Sequence, residues 1–533
     1  MGLKQSKPEI TKRFFIIITV CMLAGILLTR GYGIKHNFMG QPDEHVFYGS
    51  TEILMYDILY GDEYEPLKPY PEGTYVFRLP FHLLAQSVQL EEDYTYNVRL
   101  FGRISSVFYY SLGCVFGLWL VVSVLGGGKA GAVIYALTSV FSLFQIEISR
   151  YGTFDPLSHL VLMMAIFFIT KYIRSLKIAF MLAAAFCIGV AAAGKYSLAY
   201  FILLPLAVLV LQPGSVKYKL RQLCLIGIAV FAGFVLFSPS VIKNPRFFID
   251  TVFGGMEGYI VGGNPEGYST IPESFFSALV YQLFYSDLPL CTVFVVICVL
   301  HLFRNGEATL ERKFFSIVLP VVVGVFLFYN CLLTTFFLRT LFPYYCLCSC
   351  YAAAGLGRMC NGRKMRLAAI ILCMLMVLRS AYFVSVLGDT QAARRSAENL
   401  QQQFADEPVK EVLWLGRFFI APELDEAFSA YEQQRVSLDQ LMNGDFPEIQ
   451  PGQLVLTDSM EHGWAKYCLF APNKDEMINL LSGWERFKED NREYYVGSLY
   501  PDYYYWLFGY WVHGSTATNY EFPNSYLYYK AVD

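Results

Sequence analysis

Charge is what this chain has least of. Only 16% of its 533 residues are Asp, Glu, Lys or Arg, where a soluble domain carries about a quarter, and 55% are hydrophobic. That deficit excludes an ordinary soluble globule, because it is concentrated in repeated apolar runs of about fifteen to twenty-five residues, long enough to cross a bilayer core. A disulfide framework is also excluded. The 13 cysteines fall almost entirely within apolar runs, and Cys468 alone lies in the polar C-terminal region. No CxxC pair has metal-like spacing, and Cys346, Cys348 and Cys350 alternate within one apolar run, as buried small hydrophobes do. GxxxxGK[ST] and GxGxxG are both missing from any strand–helix junction, which argues against a nucleotide-binding module. The net charge is −3 and the basic residues are scattered in short clusters, so no nucleic-acid surface is expected.

What is present is a polytopic helical pattern. Hydropathy predicts about 11 transmembrane helices, at roughly 13–31, 104–125, 130–148, 156–172, 178–193, 197–211, 222–240, 278–303, 314–333, 337–356 and 366–387. Lys and Arg recur at every other connection, in "KQSKPEITKR", "GGGK", "KYIRSLK", "KYKLRQ", "RNGEATLERK" and "GRMCNGRKMR". The positive-inside rule assigns these to the cytoplasm. The N-terminus is then cytoplasmic, its first span uncleaved, and four features lie outside: a large loop at about 32–103, the connection at 150–155, a loop near 241–277 and a terminal region from 388 to 533. Strand-like "EVLWLG" and "QLVLTDS" with helical "DEMINLLSGWERF" make that region, 388–533, an expected extracytoplasmic α/β domain behind a membrane domain at 1–387. The outer regions contain no Asn-x-Ser/Thr sequon, which favours a prokaryotic cell membrane.

The few charges at the outer boundary are not random. Asp43 and Glu44 stand together in "FMGQPDEHVFYG", and Arg78 lies in "TYVFRLPFHLLAQ", where Pro80 introduces an amphipathic helix. Arg99 and Arg103 lead into the second span, Asp155 and His159 open the fourth, Lys195 sits in the hairpin "AAAGKYSLAY", and Arg339 begins the tenth. Ionisable groups at such depths are costly and often functional. Plainer readings exist for each: Lys195, Arg339 and Arg103 as helix-end anchors that snorkel, Asp155 as a helix N-terminal charge, His159 as a packed polar residue. One arrangement explains both signs together. A transferase using a lipid-linked sugar phosphate needs cations on the departing phosphate and a carboxylate to take the acceptor's proton.

The same segments resemble the protein O-mannosyltransferase and aminoarabinose transferase superfamily of GT-C membrane glycosyltransferases. "PDEHVFY" resembles its Asp-Glu motif, "YVFRLPFHLL" its Tyr-x-x-Lys-Pro-Pro-Leu segment with Arg78 at the lysine, and "SRYGTFDPLSHLVLM" the acidic start of its fourth span. "AAAGKYSLAY" is similar to its Lys-bearing hairpin and "LRTLFPYYCLCSCYAAAGL" to its late Arg-Tyr-Leu-x-Pro span. The resemblance covers roughly residues 10–390 and implies an inverting glycosyltransferase with a polyprenyl-phosphate sugar donor of the undecaprenyl type and a glycan, lipid or protein acceptor. Asp43 would be the general base, with Glu44 and Asp155 around the acceptor. Arg78 and Lys195 would hold the donor phosphate, with Arg339 and Arg103 as further candidates. No metal or other cofactor is expected, although Asp43, Glu44 and His45 compose a possible cation set. A lipid-linked-glycan flippase, an O-antigen-type polymerase and a glycan-binding membrane scaffold remain the alternatives.

Overall fold

The structure, a computed structural model, describes residues 11–34, 72–90, 94–243, 290–304, 309–332, 338–387, 407–415, 428–437, 443–457, 474–498 and 526–532, with a few isolated positions. The expected Asp43–Glu44 motif and most of the aromatic run at 494–511 lie outside these residues. Helix α1 (Lys12–Gly31) starts where the Thr11 hydroxyl accepts the Phe14 N–H at 3.2 Å, a standard N-cap. Two short helices, α2 (Gly73–Val76) and α3 (Leu79–Ser87), precede the 30-residue α4 (Tyr94–Ser123). Then come α5 (Gly128–Phe141) and α6 (Leu143–Arg150), α7 (Asp155–Ser175) and α8 (Ile178–Gly194), a 3-10 stretch (Tyr196–Ile202) and α9 (Leu203–Leu211), and α10 (Val216–Phe237). The later helices are α11 (Cys291–Arg304), α12 (Leu310–Lys313), which runs through a π-helical stretch into α13 (Leu319–Leu332), α14 (Phe342–Met359) and α15 (Arg363–Leu387).

This is a multi-pass membrane protein. Among the described residues five helices are long and apolar enough to cross a bilayer, and α5 with α6 adds a sixth if that bent pair counts as one span. Three apolar stretches, Ile178–Gly194, Tyr196–Leu211 and Cys291–Arg304, are shorter. Hydropathy windows, which predict about 11 spans, register apolar composition but not backbone breaks. Hence 130–148 emerges as two helices and 197–211 opens as 3-10 turns.

The helices meet over small residues. A Cβ built on Gly189 of α8 would lie 2.0 Å from the Val230 carbonyl oxygen of α10, and one on Gly233 would lie 2.3 Å from that of Phe186. Backbone-to-backbone approach of this kind substitutes for the hydrophobic drive that lipid surroundings remove.

The break between α5 and α6 bends the chain by 52° at Ser142, whose hydroxyl caps α6 by accepting the Gln145 N–H at 3.2 Å. Bending releases the last carbonyls of α5 inside an apolar bundle, where unpaired polar groups are expensive. Arg30, fully buried, donates to Ser139 O at 2.7 Å and Val140 O at 2.6 Å. Tyr110 adds a bond to Ser139 O at 2.8 Å, and the Ser380 hydroxyl donates to Phe141 O. The guanidinium also bonds Ser149 Oγ at 3.0 Å and lies 4.7 Å above the Tyr110 ring.

The C-terminal described residues form one mixed sheet. Strand β1 (Glu411–Leu415) lies parallel to β2 (Glu432–Val436) and β3 (Gln453–Thr457), and β5 (Tyr526–Tyr529) lies antiparallel to β3 and to β4 (Tyr495–Ser498). Trp484 and Phe487 of helix α16 (Lys474–Asp490) cover it together with Leu413, Val455 and Tyr528.

Replacing Arg30 by Met keeps roughly the volume but takes the charged donors from Ser139 O and Val140 O, leaving them only the hydroxyls of Tyr110 and Thr29. The expected cost is about 1.5–3 kcal/mol, the scale of hydrogen bonds to a charged group, read as a lowered thermal midpoint of the purified protein. A wild-type midpoint in the Met variant would show that the break needs no guanidinium.

Candidate functional site

The α7–α8 hairpin brings its two ends together because both helices cross the bundle. Asp155 opens α7 and Lys195 caps α8, forty positions apart, and Lys195 Nζ donates to Asp155 Oδ1 at 2.9 Å. The lysine side chain is 22% exposed and the aspartate 9%. Pro156 in the first turn fixes the start of α7 without sacrificing a needed N–H. Gly194 makes the approach feasible, since a Cβ there would fall 1.9 Å from the Phe154 ring.

The segment that carries Arg78 packs on the same end of the hairpin through α2. Gly73 packs directly on the Ala193 carbonyl, and the Thr74 hydroxyl donates to Gly194 O at 3.0 Å. The Tyr109 hydroxyl holds Phe77 O at 2.7 Å, and the Phe77 ring stacks on Phe237 at 4.4 Å and meets Phe154 at 6.3 Å. The next residue is Arg78, 5% exposed, at the N-terminus of α3. Helix α3 is clamped to α4 by Asn97, which donates to Ala85 O at 2.5 Å and Val88 O at 3.1 Å and accepts from Leu90 N at 2.9 Å. Burial, with the Arg78 charge adding to it, holds His82 below the usual imidazole range, so the ring is neutral at neutral pH. A histidine depressed in this way favours folding fully above its unfolded pKa and progressively less as pH falls.

The other expected residues separate into three groups. Arg103 is 2% exposed, donates to Ile34 O at 3.1 Å and lies 6.0 Å from the Tyr151 ring centroid. Arg150, not one of the expected residues, likewise donates to Gly33 O at 3.1 Å. These two arginines therefore hold the chain leaving α1 at the end of the bundle that carries Asp155 and Lys195. His159 is fully buried against Tyr110 and Phe342, and its ring nitrogens have no hydrogen-bond partner among the described residues. Gly113 leaves just enough room for the ring, so His159 is a packed core residue. Arg339 falls in a 3-10 turn (Leu338–Leu341) with its side chain outside the description, and Asp43, Glu44 and His45 lie outside it entirely. Among the described residues no cluster of three His, Cys, Asp or Glu side chains is suited to a metal.

Sequence reasoning missed Glu72, Glu147 and Arg150, all buried at or near this end. Glu72 precedes α2, which docks on Ala193 and Gly194. Its signal was a carboxylate six residues before Arg78, hidden among the many acids of a long loop.

No family model matches the chain. No curated protein matches it by sequence. Among solved structures it is similar to ArnT from Cupriavidus metallidurans in the apo state, at 13% identity and a TM-score of 0.49, over 86% of this chain and 94% of that one. It is also similar to the archaeal oligosaccharyltransferase AglB from Archaeoglobus fulgidus in complex with an inhibitory peptide and a dolichol-phosphate. There the identity is 12% and the TM-score 0.46, over 91% of this chain and 73% of that one. Both are GT-C fold glycosyltransferases. At these scores the likeness carries no argument.

Gly194→Ala must push the Phe154 ring or the hairpin aside. A loss of about 1–3 kcal/mol is expected from such overpacking, measured by thermal unfolding. Gly31→Ala, with open space around the new methyl, serves as the control and should leave the midpoint within error.

Proposed function

We propose that this chain is an inverting glycosyltransferase that moves a sugar from a polyprenyl-phosphate donor to an acceptor hydroxyl on the outer side of the cell membrane. The observation that supports it most is the largely enclosed Lys195–Asp155 pair at 2.9 Å, on the hairpin end against which α2 packs just before the buried Arg78. Two cations and a carboxylate at one end of an apolar bundle suit a phosphate that must leave with negative charge. The loop carrying Asp43 and Glu44 starts at this same end, because Arg103 and Arg150 bind the carbonyls of Ile34 and Gly33.

In the proposed reaction the acceptor oxygen attacks the anomeric carbon of the donor sugar. Its proton passes to the Asp43 carboxylate, the anomeric carbon–oxygen bond breaks, and polyprenyl phosphate departs with the bonding electrons. One displacement inverts the anomeric centre. Lys195 and Arg78 neutralise the leaving phosphate, with Arg339 a further candidate. Asp155 orients Lys195, and Glu44 shapes the acceptor site. Arg103 serves this site as the anchor of the loop rather than as a phosphate ligand, because a near-fully buried guanidinium already bonded to a backbone carbonyl is poorly placed to meet a lipid head group. The reaction as written routes no step through a metal or other cofactor. Undecaprenyl as the lipid, the identity of the acceptor as glycan, lipid or protein, and an outward-facing sheet domain at 388–533 belong to the same proposal.

The test is reconstitution with a polyprenyl-phosphate sugar and candidate acceptors. Asp43→Asn should lower turnover by about 10²–10⁴, the range of general-base catalysis. Lys195→Gln and Arg78→Gln should each lower it by about 10²–10³, the cost of removing one stabiliser of developing negative charge. Wild-type turnover in Asp43→Asn would remove that residue from the mechanism. Movement of labelled donor across liposomes without transfer would replace the transferase by a flippase.

A further inference from the structure

The opposite end of the bundle holds a large cleft that the proposed reaction does not use. Its position follows from α7, whose 21 residues carry the chain about 30 Å from Asp155. In its last turn Arg174 grips Glu311 with two hydrogen bonds, 2.6 and 2.9 Å long, and Glu311 lines the cleft. The cavity measures about 1950 Å³.

Its lining divides sharply by chemistry. At the mouth stand Lys129, Arg304, Arg312, Arg358 and Arg366, and among the described residues of the lining the one carboxylate is Glu311, bound to Arg174; Arg312 donates to Leu302 O and Arg366 to Cys360 O. Arg358 also ties down the turn after α4 by donating to the carbonyls of Leu125 and Gly126. Above the mouth the walls are apolar. Helix α15 presents Arg366, Ala369, Ile370, Cys373, Met374, Val377 and Leu378 to the cavity, one stripe at helical spacing that extends about 18 Å. Helix α5 supplies the facing wall with Ala130, Val133, Ile134 and Leu137. Ile370, Met374 and Leu378 are 50%, 57% and 63% exposed.

We propose that this cleft binds an anionic phospholipid from the surrounding leaflet, its phosphate among the cations of the mouth and an acyl chain along the α5 and α15 walls. Arginine and lysine gathered at one aperture repel one another unless an anion sits between them, and a phosphate accepts several charge-assisted bonds at once. A water-soluble phosphate compound would leave the apolar walls uncovered. A zwitterionic lipid would place its own cation against the mouth. The juxtaposition of a cationic aperture and a continuous apolar stripe matches an anionic lipid at both ends.

The experiment uses the full chain in phosphatidylcholine nanodiscs doped with phosphatidylglycerol bearing a photoreactive acyl chain. Label is expected on peptides spanning 129–137 and 366–378, displaced by unlabelled phosphatidylglycerol and not by added phosphatidylcholine. Lys129→Gln combined with Arg304→Gln should cut labelling at least fivefold with an unchanged thermal midpoint, since both side chains are exposed and Lys129 gives up only a 5.7 Å approach to the Phe14 ring. Arg358→Gln should reduce labelling as well but also lower stability, so the double variant decides. Equal labelling by a phosphatidylcholine probe, undiminished labelling of the double variant, or displacement by inorganic phosphate would each overturn the proposal. None of these readouts depends on glycosyl transfer.

Discussion

The buried guanidinium of Arg30 is the contact on which the geometry at the site end depends. A helix that breaks inside an apolar bundle exposes carbonyl oxygens to surroundings that cannot solvate them. Arg30 occupies the break and donates to two of them, Ser139 O and Val140 O, while also bonding the hydroxyls of Thr29 and Ser149. The 52° bend it permits turns α6 across the end of the bundle. Glu147, Arg150, Tyr151 and Thr153 arrive there as a consequence, and Asp155 starts α7 from that position. A straight 23-residue span over 128–150 would carry the same residues along the bundle axis instead. The cost of burying a charge is thus offset by hydrogen bonds that no neutral side chain of similar length could make at so many points.

How much of this was readable beforehand depends on the length scale of the interaction. The membrane class follows from composition, and the expected helices around Asp155 and Lys195 lie within a few residues of those observed. Their meeting was implicit in the hairpin, because two antiparallel helices of similar length return the chain to the level it left. Arg30 was invisible for the opposite reason. An arginine at the end of an apolar run looks like a snorkelling anchor, and only the break 110 residues later gives it something to bind. The break itself rests on Ser142, one hydroxyl in a run that hydropathy scores as continuous. Glu72 was likewise concealed, since its burial is a consequence of Gly73 fitting on Ala193 and cannot be inferred from a loop's acidity.

Glycine placement shows how the bundle substitutes geometry for hydrophobic drive. Gly189 and Gly233 let α8 and α10 touch backbone to backbone, and Gly355 does the same for α14 against Phe294 of α11. Near the site the same device acts on single residues. Gly73 and Gly194 bring α2 and the Phe154 ring against the end of α8, which sets where Lys195 emerges. A hairpin with larger residues at these points would still span the membrane. Its terminal lysine would simply open at a different place.

The pairing of Lys195 with Asp155 looks at first like an obstacle to phosphate binding, since a carboxylate beside a phosphate repels it. The magnitudes resolve the conflict. The pair is largely enclosed, with 22% of the lysine and 9% of the aspartate side chain exposed, so separating it without a substitute is costly, and a more highly charged anion arriving in the carboxylate's place offsets that cost. Leaving an unpaired ammonium at the edge of an apolar bundle would cost more, and the free side chain would sample many rotamers. In the proposed reaction Asp155 keeps the lysine ordered and neutralised and yields it only to a partner of greater charge. Arg78 is held in place by its burial at the start of α3. In the proposed reaction one cation is fixed by packing and the other by an enclosed pair in which a phosphate takes the carboxylate's place, which keeps both in position for the departing lipid phosphate.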